Sequence, residues 1–340
     1  MWAWQVQGTF GLSNLSLTEA SAPKDPGPYE IIVRPKAWSV NYRDIKVVKG
    51  TYNPKQPLPF VPFSDGAGDV VAVGSSVTRF KVGDKVLSTF SQGWVCGPPP
   101  GDLNKTTLGS PLPGMLSELV VLSEEGAVHM PEHLSYVEAA TLPCAALTAW
   151  RAIVHEACTK PGDDVLILGS GGVALFALAF AKMSGARALI TSRSAAKLER
   201  LKTFGADVCI DTSKTPEFAA EVKTHTGGKG VDLVVELTGI ATLEQSIHSV
   251  KAGGNVVLIG SVTGGKGPVD MQSIFMRSVK LRGILVGNRQ QFEAMNAAIS
   301  KHAFKPVIHK TFALKQAPEA LAYMESSDHI GKICIDLEKK

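Results

Sequence analysis

The sequence is short of the residues that staple or metallate a fold. Its five cysteines, Cys96, Cys144, Cys158, Cys209 and Cys334, are odd in number, scattered and never spaced Cys-x-x-Cys. That argues against a disulfide framework and a structural zinc knuckle, and it suits a reducing compartment. None of the eight histidines stands in a His-x-x-x-His or similar ligand pair, so none is assigned a role. Lysine and arginine form no run: 35 basic against 31 acidic side chains leave a net charge of +4, which argues against nucleic acid or an anionic membrane as partner. The longest apolar stretch, Val173 to Met183, carries Lys182 and falls well short of the ~20 residues that cross a bilayer, so no membrane span is predicted. Met1-Trp2-Ala3-Trp4-Gln5 lacks the basic and apolar regions of a secretory signal. The expected location is cytoplasmic.

What is present is a chain of 340 residues, 44% hydrophobic, too long for one core at roughly 100–200 residues per domain. Its first part is rich in proline and glycine, with short β-branched runs at Ile31-Ile32-Val33, Val70 to Val73, Lys85-Val86-Leu87 and Leu119 to Leu122, the punctuation of an all-β unit. From about Pro161 apolar runs alternate with helical stretches: Val165 to Leu168, Ala188 to Ile190, Val208 to Ile210, Leu233 to Val235, Val256 to Ile259 and Leu281 to Val286. Six such runs predict an α/β unit with a doubly wound parallel sheet covered on both faces. Ile333-Cys334-Ile335 reads as a final strand.

After the run Val165 to Leu168 comes Gly169-Ser170-Gly171-Gly172-Val173-Ala174, then an apolar helix. This is Gly-x-Gly-x-x-Gly/Ala between strand and helix, where glycines permit the turn and the approach of a pyrophosphate. The helix amino terminus then offers N–H groups and a positive dipole end. A tight turn in some other α/β protein is the alternative reading; the six alternating runs favour a dinucleotide. The second strand ends in Ser192-Arg193-Ser194 with Lys197 close behind, where an NAD site would carry an acidic residue. A carboxylate there would repel a 2′-phosphate, whereas arginine and lysine attract one, so the expected cofactor is NADPH.

At this point the sequence resembles the medium-chain dehydrogenase/reductase superfamily over essentially its whole length. The resemblance rests on Asn41-Tyr42-Arg43-Asp44 with Gly50, Gly66 to Gly74, Phe80 to Val86, Leu142 to Trp150, the glycine loop and Leu201 to Asp207. It implies a GroES-like β-rich catalytic domain over residues 1–145, a Rossmann NADP-binding domain over 146–288 with six parallel strands, and a segment 289–340 that returns to the catalytic domain. It also implies an active site in the cleft between the domains and a homodimer. Alcohol dehydrogenases of the family hold catalytic zinc with a Cys, a His followed by Glu, and a second Cys; here those positions are Asn41, Ser64-Asp65 and Cys144. Catalytic zinc takes about three protein ligands from Cys, His and carboxylate, so no metal is expected. The sequence is thus similar to the zinc-independent branch of quinone oxidoreductases and enoyl reductases, whose Asn-x-x-Asp segment and trailing tyrosine match Asn41, Asp44 and Tyr52.

By the same resemblance Thr148 lies against the nicotinamide ring, and Gly260-Ser261 faces it from the end of the fifth strand. Arg289, in Gly287-Asn288-Arg289, is either a pyrophosphate ligand or a surface residue. Asn41, Tyr42 and Tyr52 are the candidate catalytic residues: the Asn41 amide to hydrogen-bond the substrate oxygen, a tyrosine to donate a proton or hydrogen bond, each tyrosine being equally readable as an amphipathic ring on the β unit. The expected reaction is hydride transfer from NADPH to a conjugated carbonyl compound or quinone. Rival expectations are an NADP-dependent alcohol or ketone oxidoreductase, a nucleotide-binding protein with little catalysis, and an enoyl reductase serving a polyketide synthase.

Overall fold

The computed structural model describes residues 1–339. Fifteen strands follow in chain order among them: β1 (Trp2–Val6), β2 (Leu15–Glu19), β3 (Glu30–Val40), β4 (Gly66–Val73), β5 (Lys85–Ser88), β6 (Val120–Ser123), β7 (Ala127–His129), β8 (Asp164–Leu168), β9 (Arg187–Ser192), β10 (Val208–Asp211), β11 (Val231–Glu236), β12 (Val250–Leu258), β13 (Lys280–Gly283), β14 (Ile308–Ala313) and β15 (Lys332–Asp336). They divide between two compact units, one of residues 1–147 with 287–340 and one of 148–286.

The first unit is built on β3, eleven residues long, which pairs with β4, β6 and β15, all antiparallel. Its sheet runs β14-β15-β3-β4-β5-β7, so the last strands of the chain close onto an early one. Trp38, Phe63, Met115 and Leu116 are fully buried in its core, with Ile333 and Ile335 from the last strand. Ile333 lies opposite Val40 and Cys334 opposite Ser39. That register brings Lys332, which opens β15, to the end of β3 where Asn41 starts the helix Tyr42–Val48.

The second unit holds the six-stranded parallel sheet β10-β9-β8-β11-β12-β13, the doubly wound Rossmann arrangement. Its central strands are apolar on both faces: every residue of Val165–Leu168 and Leu233–Val235 is buried, as a sheet covered by helices requires. The run Leu281 to Val286 stays in the sheet only to Gly283. Val286, with a φ of 48°, is the last residue before the chain passes back to the first unit. One helical segment, Tyr136–Glu156, is long and apolar enough by length and composition to cross a bilayer, and 72% of its most apolar window is buried inside the protein. Burial of that kind is what a core helix shows.

Candidate active site

In the second unit, the dinucleotide fingerprint has the backbone it needs. Gly169 follows β8 with a φ of 87°, a left-handed conformation that glycine adopts without penalty. Its N–H donates to Thr191 O at 3.0 Å, tying the turn to β9. Gly171 caps the helix Gly172–Met183 and no side chain bonds the first turn, which leaves backbone N–H groups open to an anion. Ser170 is buried at the turn, and Gly172 and Val173 are half-buried where the helix begins.

At the end of β9, Ser192 is buried and Arg193 is exposed with no ion pair among the described residues. Ser194 caps the next helix by accepting from the Lys197 N–H. No carboxylate occurs between Ser192 and Leu198. These residues fit a 2′-phosphorylated dinucleotide: an open helix terminus for the pyrophosphate and an unpaired cation for the 2′-phosphate. Gly260, just past β12, has its N–H on Glu236 O at 3.2 Å, and a Cβ there would fall 1.7 Å from Leu237 O. Only glycine permits that approach. Ser261 beside it is exposed, and Thr148 is buried at the start of this unit.

Glu236, which the sequence reasoning missed, ties this edge together. It is 1% exposed and accepts from Thr238 N (2.7 Å), Gly239 N (3.0 Å), Thr242 Oγ1 (2.9 Å) and Ser246 Oγ (2.5 Å). The signal available in the sequence was an acid closing an apolar strand two residues ahead of Thr238-Gly239.

In the first unit, Asn41, Asp44, Asp65 and Lys332 form a buried polar cluster, with Cys144 half-buried beside it. Asn41 N donates to Asp44 Oδ2 at 2.8 Å, a capping box that fixes the start of the helix Tyr42–Val48. Ser64 Oγ donates to Asp65 Oδ1 at 2.7 Å, and Cys144 N donates to Asp65 Oδ2 at 3.2 Å from the wide turn Leu142–Ala146. Lys332, 2% exposed and also missed by sequence reasoning, donates to Val40 O at 2.8 Å and to Asn41 Oδ1 at 2.6 Å. Asn41 Nδ2 and Asp44 Oδ1 are buried without hydrogen-bond partners.

Burial pushes the Asp44 carboxyl up to about 7, with the Asp65 carboxyl adding to the rise and the Arg43 guanidinium opposing it. Burial also raises Asp65, against the pull of Lys332, Asn41 and Ser64. Burial and the facing Asp65 hold the Cys144 thiol far above its usual range, hence neutral. A zinc ion does not fit this donor set. Asn41 Oδ1 is taken by an ammonium, Ser64 donates its hydroxyl proton to Asp65, and the ammonium itself repels a dication.

The Asp44 shift sets a stability prediction. A carboxyl with a folded pKa near 7 and an unfolded one near 4 binds more protons when folded, so its unfavourable contribution grows from about pH 4 to about pH 7 and is constant above. Asp44→Asn keeps an acceptor for Asn41 N and removes that titration. Its stability relative to the parent rises between pH 5 and pH 8 by up to a few kcal/mol, read from urea midpoints at the two pH values. An unchanged difference between them refutes the assignment.

The two tyrosines lie at the rim of this unit, Tyr42 37% and Tyr52 39% exposed. Lys46 Nζ sits 5.4 Å from the Tyr42 ring centroid. The Arg43 guanidinium lies between Tyr52 and Phe90, 4.8 and 4.6 Å from their centroids, while donating to Leu108 O at 2.8 Å. Gly287 opens the returning segment of the same unit, and Arg289 N donates to Trp94 O. The Arg289 side chain is ion-paired with Glu125 and Glu293, so its guanidinium is already engaged within the first unit.

Two family models match the chain: a zinc-binding dehydrogenase domain over residues 172–301 and an alcohol dehydrogenase GroES-like domain over 27–132. A zinc-type alcohol dehydrogenase-like protein of Schizosaccharomyces pombe is 39% identical over 334 residues, covering 96% of each chain. Human quinone oxidoreductase is 26% identical over 315 residues, covering 90% of this chain and 88% of its own. A solved Sinorhizobium meliloti protein described as an alcohol dehydrogenase superposes with a TM-score of 0.92 at 39% identity, covering 99% of this chain and 98% of its own. With a GroES-like domain, a Rossmann sheet and relatives matched along their full length, the chain is an oxidoreductase of the medium-chain dehydrogenase/reductase superfamily.

Proposed function

We propose that the protein is a zinc-independent, NADPH-dependent reductase of α,β-unsaturated carbonyl compounds or quinones. The observation that carries this reading is the Asn41 cluster. Its donors do not suit zinc, yet it keeps a buried amide N–H without a partner, suited to an oxygen on which charge develops. Preference for NADPH is supported by the unpaired Arg193 beside Ser192 and by the lack of a carboxylate there.

Bound NADPH supplies the hydride. For an enone, the hydride adds at the β-carbon, the C=C electrons move toward the carbonyl carbon, and the oxygen takes the charge as an enolate. A proton then adds at the α-carbon, so one NADPH and one proton are consumed per saturated ketone formed. Asn41 Nδ2 donates to the oxygen, and Tyr42, Tyr52 or water brings the proton. Such a reaction asks for positioning and hydrogen bonds rather than a Lewis acid.

The alternative, an alcohol or ketone oxidoreductase, is favoured by the names of the two relatives at 39% identity. Products separate the two readings. An enone whose C=C and C=O reductions give different compounds is expected to yield the saturated ketone alone; accumulation of the allylic alcohol establishes the rival.

A further inference from the structure

The amide of Asn41 has one defined orientation, and its cause lies 291 residues away. An ammonium has only hydrogens to offer, so the atom facing Lys332 Nζ at 2.6 Å must be the carbonyl oxygen of Asn41 and not its nitrogen. The second partner of Nζ, Val40 O at 2.8 Å, fixes the ammonium itself. Lys332 forms no ion pair among the described residues, although Asp65 is near enough to feel its charge. A lysine 2% exposed whose hydrogen bonds go only to neutral oxygens, with Asp44 and Asp65 near enough to feel its charge, is a costly feature for a fold to keep. Its structural consequence is that Asn41 Nδ2, buried on a residue 7% exposed, lies close enough to the Asp65 carboxylate to help lower its pKa yet completes no hydrogen bond.

We propose that Lys332 is the positioning residue of this site: a built-in cation that locks and polarises the Asn41 amide so that Nδ2 donates to the carbonyl oxygen of the acceptor. Where a metal ion could supply the polarising charge, here the chain carries it. An ammonium on the amide oxygen draws electrons from the nitrogen and makes its N–H a stronger donor, most of all in a site of low dielectric. The inference rests on the reductase reading and adds to it the origin of the donor.

The test uses the full-length protein and the acceptor that the unaltered enzyme reduces best. Turnover, NADPH affinity and thermal midpoint are measured for Lys332→Met, Lys332→Gln and Lys332→Arg, alone and combined with Asn41→Ala. Lys332→Met is expected to lower kcat on the order of ten- to a hundredfold with NADPH affinity unchanged. Lys332→Arg restores most of the rate. Lys332→Gln, which keeps a donor without the charge, falls between and replaces Lys332→Met if that variant does not fold. Because Lys332 acts through Asn41, adding Lys332→Met or Lys332→Gln to Asn41→Ala produces little further loss. Three results overturn the proposal: kcat retained in both neutral variants, losses that multiply in the double variants, or a loss that tracks the thermal midpoint and is not relieved by arginine. An unaltered enzyme that reduces no enone, quinone or ketone overturns the reductase reading and this inference with it.

Discussion

Replacing Glu236 by leucine should destabilise the cofactor-binding unit by about 3–5 kcal/mol, the largest effect expected of any single side chain near the site. The carboxyl group accepts from two backbone N–H groups and two hydroxyls in a fully buried setting. Leucine fills much of the volume but strands all four donors. Each buried donor left without an acceptor costs roughly 1–3 kcal/mol, partly relieved by rearrangement. For a unit of this size each kcal/mol lowers the thermal midpoint by about 2–4 °C, so a fall of about 10 °C is expected. NADPH binding should weaken as well, because Thr238 and Gly239 form the turn at the carboxyl end of β11, the edge at which dinucleotides lie. Glu236→Gln, which keeps one oxygen acceptor, should fall between. A midpoint for Glu236→Leu within 2 °C of the parent, read by calorimetry, contradicts this account of the turn.

Arg193→Ala should weaken NADPH binding about ten- to a hundredfold and leave NADH binding nearly unchanged. The arginine is exposed, unpaired among the described residues, and one residue past the end of β9. A charge-assisted bond to a phosphate contributes on the order of 1.5–3 kcal/mol, which converts to that range of affinity. Only the phosphorylated cofactor offers the partner, so the two cofactors act as each other's control. Titration of both by fluorescence measures the ratio. An NADPH dissociation constant that does not move assigns the 2′-phosphate to another group or removes the preference altogether.

The parts of this molecule that were legible in the sequence are those encoded by neighbours. Gly169 to Ala174 carries its meaning in six residues, because strand, turn and helix follow one another along the chain. The six apolar runs are found as β8 to β13, most plainly in the central strands β8 and β11, which are buried on both faces and need little but apolar residues, whereas the edge strand β13 is largely exposed. Lys332 was illegible on different grounds. Its meaning depends on the pairing of β15 with β3, and a lysine ahead of Ile333-Cys334-Ile335 reads equally well as a solvated strand end. The Arg289 pairs with Glu125 and Glu293 likewise needed the fold before they could be seen. Asn41 stood out as a replacement for a ligand, but the direction its amide faces follows only from the ammonium on its oxygen.

On the proposed reading, the Asn41 cluster with Lys332, not a metal, serves the oxygen of a conjugated acceptor. That reading is tested most directly by following NADPH oxidation by chelator-treated protein offered an enone, a quinone and a simple ketone in parallel, with NADH as control. Turnover of the enone or quinone with NADPH is expected, undiminished by chelation and not increased by added zinc. Turnover of the ketone alone, or activity that returns only when zinc is supplied, contradicts it.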